Sequence, residues 1–76
     1  MNTLFTATVI VHGQPVAYDV TFENGHYTFQ PQPEQDVTAP FTAYREDDTW
    51  KVRGLEDEIA KHQAVSQLEG YLLQQH

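Results

Sequence analysis

The first part of the chain alternates between apolar and polar positions. Within residues 3–12 the odd positions are mostly apolar, and within residues 16–23 the even positions are apolar. These positions hold Phe5, Ala7, Val9 and Val11 in the first run, and Val16, Tyr18, Val20 and Phe22 in the second. A period of two is typical of strands with one buried face. The pattern therefore predicts strands over 3–12 and 16–23, followed by a third over 26–30.

The connection between the second and third strands is Asn24-Gly25, the preferred pair for a two-residue type I′ turn. Such a turn fixes the register, so that Glu23 faces His26 and Val20 faces Phe29. Apolar side chains then meet on one face and polar ones on the other. The sequence therefore predicts a tight hairpin over residues 16–30.

The first connection contains His12, Gly13, Gln14 and Pro15. An even number of loop residues keeps the apolar sides of both strands on one face, and we predict a loop of these four residues. Pro15 has no N–H to donate, which argues against a shorter loop that closes at Pro15. This loop sets Val11 against Val16.

Residues 31–40 hold three of the four prolines and few apolar side chains, which favours an extended connector that is the likeliest flexible segment. Two short strands are predicted beyond it, over 41–45 and 50–53. A two-residue loop between them would place Arg45 beside Trp50, whereas a longer loop would pair Tyr44 with Trp50. The sequence does not decide between these registers, nor does it place the two strands relative to the first three.

A helix is predicted over 55–75. Gly54 interrupts the strand pattern, and acidic residues at 56–58 suit the first turn of a helix, where the macrodipole favours negative charge. One stripe of this helix is apolar and should cover the sheet; it consists of Ala60, Ala64, Leu68, Tyr71 and Leu72, with Val65 at its edge. Gly70 inside the helix predicts either a close backbone approach or early fraying.

These elements predict an α+β fold, an antiparallel β-meander covered on one face by a single C-terminal helix. A chain of 76 residues is too short for two cores, so residues 1–76 should form one domain. Leu55 and Ile59 do not lie on the apolar stripe. Either they pack within the chain, or they form a small exposed patch that meets a second subunit.

Charge and composition limit the functions that the chain can have. Eleven Asp and Glu against four Lys and Arg give a net charge of -7, and all four bases lie between Arg45 and Lys61. This balance disfavours nucleic acids and anionic membranes as partners. The absence of cysteine removes disulfides and thiolate zinc sites. With no apolar leader or spanning segment, we expect a soluble cytoplasmic protein.

The sequence contains few of the residue patterns that form catalytic sites in other proteins. The only serine, Ser66, falls in the predicted helix without a nucleophile elbow, and the four glycines are isolated, so no phosphate-binding loop is present. His12 and His26 are expected at opposite ends of the second strand, too far apart to share a metal. One acidic cluster, at 46–48, falls in a predicted turn and the other, at 56–58, falls at the predicted helix start, and carboxylates normally stay solvated at both kinds of position. We predict no enzyme activity, cofactor or metal.

Our leading interpretation is a non-enzymatic protein-interaction module, with a homodimer as one form of it. A second is an acidic decoy that occupies a basic, nucleic-acid-binding surface of another protein, and a third is a small-ligand carrier. The candidate contact residues are two aromatics and two off-stripe apolar residues, joined by two acidic clusters: Tyr44, Trp50, Leu55, Ile59, Asp47, Asp48, Glu56, Asp57 and Glu58.

Overall fold

The computed structural model describes residues 3–32 and 39–74. Within them the chain forms five strands and one helix: β1 (Phe5–Val11), β2 (Gln14–Glu23), β3 (His26–Pro31), β4 (Phe41–Glu46), β5 (Thr49–Arg53) and α1 (Glu58–Gln74). All neighbouring strands are antiparallel, and their order in the sheet follows the chain from β1 to β5. The predicted α+β meander with a C-terminal helix is confirmed. The structure also places β4 and β5, which the sequence left open.

The core lies between the sheet and α1. Val9, Val20 and Phe29 are fully buried, as the predicted alternation requires, and they lie on three adjacent strands. The helix contributes three fully buried side chains, Ala60, Ala64 and Leu68, which recur at the four-residue spacing of a single helix face. The apolar stripe of the helix therefore covers the apolar face of the sheet.

Aromatic rings form the centre of this core. Phe29 and Phe41 stack with their ring centroids 4.6 Å apart, and Tyr18 meets both rings edge-on, at 6.1 and 5.0 Å. Near one end of the sheet, Phe5 stacks on Tyr71 of the helix at 4.5 Å. Such pairs contribute about 0.5–1.5 kcal/mol each beyond the burial of their area. Phe22, expected in the core, lies at the end of β2 and is half exposed.

The β2–β3 hairpin has the predicted turn and register. Asn24 and Gly25 both have positive φ, at 53° and 80°, as a type I′ turn requires. Glu23 pairs with His26 and Val20 pairs with Phe29. The local turn signal was therefore sufficient to fix this part of the sheet.

The register of the first hairpin was predicted wrongly by two residues. The turn is His12-Gly13, with φ of 51° and 80°, so Val11 pairs with Gln14 and Val9 with Val16. Gln14 supplies the N–H that closes the turn. Pro15 falls opposite Ile10, in a pair that exchanges no hydrogen bonds, so its missing N–H costs nothing. The apolar face is preserved because a shift of two residues keeps every side chain on its side.

The β4–β5 hairpin adopts the shorter of the two loops that the sequence allowed. Asp47 and Asp48 form the turn with φ of 52° and 63°, and Arg45 pairs with Trp50. The guanidinium carbon of Arg45 lies 5.8 Å from the centre of the Trp50 ring, within the range of a cation–π contact. Two consecutive non-glycine residues thus occupy the left-handed region in this turn.

The helix begins later than predicted, at Glu58 rather than Leu55. Asp57 is its N-cap, because one carboxylate oxygen, Oδ1, accepts hydrogen bonds from the N–H groups of Ile59 at 2.9 Å and Ala60 at 3.2 Å. A run of three acidic residues made several starting points equally acceptable in the sequence. The structure therefore leaves Leu55 and Glu56 in a short segment between β5 and α1.

The two off-stripe residues behave differently. Leu55 is half-buried and packs against the core within the chain, whereas Ile59 is 69% exposed. At Gly70, an added Cβ would meet nothing within 4 Å, and α1 continues to Gln74, so neither a close approach nor early fraying explains this glycine. Pro31 is the last residue of β3, and most of the predicted connector, residues 33–38, lies outside the described residues, as does Gln75.

Candidate interaction surface

One edge of the sheet, β1, is covered by polar side chains of the helix. The N–H of Ile10 donates to Oε1 of Gln63 at 2.9 Å, and Nε2 of Gln67 donates to the carbonyl oxygen of Thr8. Nearer the turn, the N–H of His12 donates to Oδ2 of Asp57 at 3.2 Å. Three outward-facing backbone groups of this edge therefore have partners in the same chain.

The spacing of the helix residues explains this cover. Gln63 and Gln67 are four residues apart and lie on one helix face, one turn above the other. Along β1, the even-numbered residues point their backbone groups away from β2, because the odd-numbered residues exchange hydrogen bonds with it. A glutamine side chain carries both a donor and an acceptor, so two glutamines can satisfy an N–H and a carbonyl. The helix thereby blocks the addition of a further strand at β1.

Asp57 joins the helix start to this edge. Its carboxylate, 19% exposed, accepts from the N–H groups of Ala60 and Ile59 through one oxygen and from that of His12 through the other. The hydrogen bonds from Ala60 and His12 are the main causes that hold the pKa of Asp57 below its ordinary value of 3.8. Asp57 is thus an internal link between β1 and α1 and not a free surface carboxylate.

The opposite edge, β5, is open. Because the closing turn is Asp47-Asp48, the pairs of Trp50 with Arg45 and of Val52 with Ala43 exchange no hydrogen bonds. The N–H and carbonyl groups of Trp50 and Val52 therefore point away from β4. Among residues 3–32 and 39–74, no strand lies beyond β5, and none of the hydrogen bonds uses these outward groups.

A groove of about 520 Å³, open to solvent, runs along this edge between β5 and α1. The sheet side is lined by four consecutive residues of β5, namely Trp50, Lys51, Val52 and Arg53, together with Tyr44 of β4. The helix side is lined by Glu58, Lys61, His62 and Val65. Side chains from both faces of β5 reach the groove because it follows the edge of the strand. We call this feature the β5 groove.

The charge of the β5 groove is opposite to that of the chain. Three of the four Lys and Arg residues line it, and the fourth, Arg45, contacts Trp50. Lys61 forms a 3.3 Å ion pair with Glu58, whose side chain is 83% exposed, so this pair is weak. Within the described part of the chain, Lys51 and Arg53 have no carboxylate within 4 Å. Their charges are available to a ligand.

The aromatic residues at this edge are held by their neighbours. Trp50 packs against Tyr27 with ring centroids 5.9 Å apart, and Tyr44 lies 5.0 Å from the ring of His26. The indole Nε1 of Trp50 is buried and has no hydrogen-bond partner among the described residues. Trp50 is the only tryptophan, so its fluorescence reports directly on this groove.

The structure divides the contact residues predicted from the sequence. Tyr44, Trp50 and Glu58 meet at the β5 groove. Leu55, Glu56 and Asp57 instead line a second open groove, which Val11, His12 and Tyr18 also line. Ile59 is exposed at the start of the helix. Asp47 and Asp48 form the β4–β5 turn. The residues predicted as one contact set therefore lie at several separate places in the fold.

The two acidic clusters are not adjacent. Asp47 and Asp48 precede β5, whereas residues 56–58 follow it, and a five-residue strand separates its ends by roughly 15 Å. Lys51 and Arg53 lie between the clusters. The two clusters therefore do not form one continuous acidic face along this edge.

The basic and histidine residues of the β5 groove were absent from the predicted contact set. The signal that pointed to them was the confinement of all four Lys and Arg to Arg45–Lys61. In the sequence, that confinement indicated only that nucleic acids and anionic membranes are disfavoured as partners. It could not place Lys61 and His62 opposite β5, because this depends on how the helix crosses the sheet.

Across 3–32 and 39–74, no three or more His, Asp or Glu side chains converge as metal ligands would. In the same ranges, no helix has both the length and the apolar character that crossing a bilayer requires.

Comparisons with known proteins do not add a relationship. No family model matches the chain, and neither the curated proteins nor the solved structures contain a match.

Proposed function

We propose that this chain is a non-enzymatic protein-interaction module that binds an extended segment of a partner along β5. The observation that carries the proposal is the difference between the two sheet edges. Gln63 and Gln67 of the helix and its N-cap Asp57 cover the β1 edge, whereas no other described residue bonds the outward donors and acceptors of Trp50 and Val52 at the β5 edge. An exposed edge of this kind is a template for strand addition.

The aromatic lining of the groove gives further support. Tyr44 and Trp50 lie beside the open backbone groups, and tyrosine and tryptophan are enriched at protein interfaces. Main-chain hydrogen bonds would provide affinity, and the side chains on either face of β5 would provide specificity. Binding along a strand edge suits a domain this small, because its apolar side chains are needed for the core and cannot also line a deep pocket.

Binding to a second copy of the chain has less support than binding to another protein. If two β5 strands paired antiparallel about Lys51, the two Lys51 side chains would lie directly opposite each other, and like charges at that position are unfavourable. The small-ligand alternative has only open grooves to support it.

The test removes one outward N–H. Val52→Pro deletes the donor at a position where β4 does not use it, and proline is tolerated on the outer side of an edge strand. Val52→Thr is the matched control, because it keeps the N–H and a side chain of similar shape. Both variants and the wild type are immobilised and exposed to an extract of the native host.

We expect wild type and Val52→Thr to retain the same partner and Val52→Pro to lose it. Circular dichroism and urea unfolding verify that both variants remain folded. A partner that all three proteins retain equally would contradict binding through the β5 edge.

A further inference from the structure

The two faces of β5 present different chemistry to an added strand. Lys51 and Arg53 are two residues apart and therefore lie on one face, whereas Trp50 and Val52 lie on the other. The helix residues Lys61, His62 and Val65 bound the groove on its far side. A bound strand would alternate in the same way, with one set of side chains beside the two cations and the other beside the apolar pair.

From this pattern, and resting on the proposed function, we infer that the partner segment is an extended peptide in which acidic and apolar residues alternate. Successive carboxylates at i and i+2 are about 6.6 Å apart along a strand, the same spacing that separates Lys51 and Arg53. Apolar residues at the intervening positions meet Trp50 and Val52. The segment therefore reads as Asp or Glu alternating with Val, Ile or Leu.

The net negative charge of the whole chain does not prevent the binding of an acidic peptide at β5. At physiological salt, exposed charges more than about 8 Å apart are largely screened, so a bound carboxylate responds mainly to Lys51 and Arg53. These cations have no carboxylate within 4 Å among the described residues, so binding does not require an existing ion pair to break. Phosphate groups of a nucleic acid would meet the same cations, but they would leave the open backbone groups of Trp50 and Val52 unused.

The experiment titrates the protein with short capped peptides and follows the fluorescence of Trp50. One peptide alternates Glu with Val, a second replaces each Glu by Lys, and a third replaces each Glu by Gln. A single-stranded oligonucleotide is titrated in parallel. Sedimentation at each peptide concentration verifies that the peptides and the protein do not self-associate.

Two double variants test the cations. Lys51→Gln with Arg53→Gln removes two positive charges at the groove, and Gln14→Glu with Gln30→Glu adds two negative charges at exposed positions of β2 and β3. Both pairs lower the net charge by two. They therefore separate a local effect from a change in overall charge.

We expect the Glu peptide to bind best and the Lys peptide worst. Its affinity should fall about tenfold in the Lys51→Gln/Arg53→Gln protein, the loss typical of two exposed ion pairs, and change much less in the control pair. It should also weaken as salt rises. Val52→Pro should reduce the binding of the Glu peptide, whereas Val52→Thr should not.

Several outcomes would overturn the inference. Equal binding of all three peptides would refute the acidic chemistry while leaving strand addition at β5 intact. Tighter binding of the oligonucleotide, or self-association that Val52→Pro abolishes, would assign the groove to a different occupant. If none of the peptides bound, recognition of an alternating acidic and apolar segment would be refuted. The proposed function would then be tested separately, by comparing which proteins Val52→Pro and Val52→Thr retain from the extract.

Discussion

Tyr18 shows how a single buried atom affects stability. The side chain is fully buried between Phe29 and Phe41, and its hydroxyl has no hydrogen-bond partner among the described residues. A buried hydroxyl without a partner loses its hydration and gains nothing in exchange. The ring stabilises the core, whereas the hydroxyl opposes that stabilisation.

Tyr18→Phe should therefore raise the free energy of unfolding by about 1 kcal/mol, because it removes the hydroxyl and keeps the ring. Urea unfolding at neutral pH measures the difference. Tyr27→Phe serves as a control at a half-buried tyrosine and should give no comparable gain. A loss of stability in Tyr18→Phe would mean that the hydroxyl has a partner.

Asp57 gives the fold a dependence on pH. Its pKa is lowered in the folded chain, mainly by hydrogen bonds from the N–H groups of Ala60 and His12. A carboxylate with a depressed pKa stabilises the fold above its unfolded pKa, and that contribution is lost as the pH falls through the folded value. Acidification below about pH 4 should therefore weaken the link between β1 and α1.

Asp57→Asn tests this contribution, because asparagine remains a good N-cap but does not ionise. We expect the variant to be less stable than wild type at neutral pH and the difference to shrink as the pH falls below about 4. Urea unfolding over a pH series measures it, with Glu69→Gln as the control at an exposed helix carboxylate. A difference between wild type and Asp57→Asn that is independent of pH would contradict the assigned role.

At the level of elements, hairpins with strong local signals were the most predictable part. Asn24-Gly25 specified both the turn and the register, and the alternation of apolar residues specified the buried face. The β1–β2 register was wrong because two even loops preserve that alternation equally well. What decided it was the ability of His12 to adopt a positive φ beside Gly13, which composition does not reveal.

The helix start and the candidate surface were less predictable for similar physical reasons. Three consecutive acids permit several caps, and the choice of Asp57 depends on its second contact, with His12 on a strand distant in sequence. The β5 groove likewise requires knowledge of which edge the helix covers. Tyr44, Trp50 and Glu58 were among the predicted contact residues and line this groove, whereas Lys51, Arg53 and Lys61 come together there only through tertiary placement.

The conformation of the β4–β5 turn can be tested by substitution. Asp47 and Asp48 both adopt positive φ, where glycine avoids the strain that a side chain introduces. Asp48→Gly should increase the free energy of unfolding by about 1 kcal/mol, and Gly25→Ala, at the equivalent position of the β2–β3 turn, should decrease it by a similar amount. Thermal and urea unfolding measure both. A destabilised Asp48→Gly protein would contradict the two-residue turn and the pairing of Arg45 with Trp50.

For the whole molecule, the central feature is that one helix makes the two edges of the sheet unequal. It closes β1 through Asp57, Gln63 and Gln67, and it forms one wall of the groove at β5. Among the described residues, the same packing that completes the core therefore leaves β5 as a basic, aromatic edge in an acidic chain. Both proposals for function depend on this inequality.

Residue-resolved amide hydrogen exchange tests it most directly. The N–H groups of Ile10 and His12 have side-chain acceptors, whereas those of Trp50 and Val52 face the open groove. We predict slow exchange at Ile10 and His12, fast exchange at Trp50 and Val52, and slowing at the latter pair when the alternating Glu and Val peptide is added. Equally slow exchange at all four amides in the free protein would show that the β5 edge is already occupied and that the two edges of the sheet do not differ.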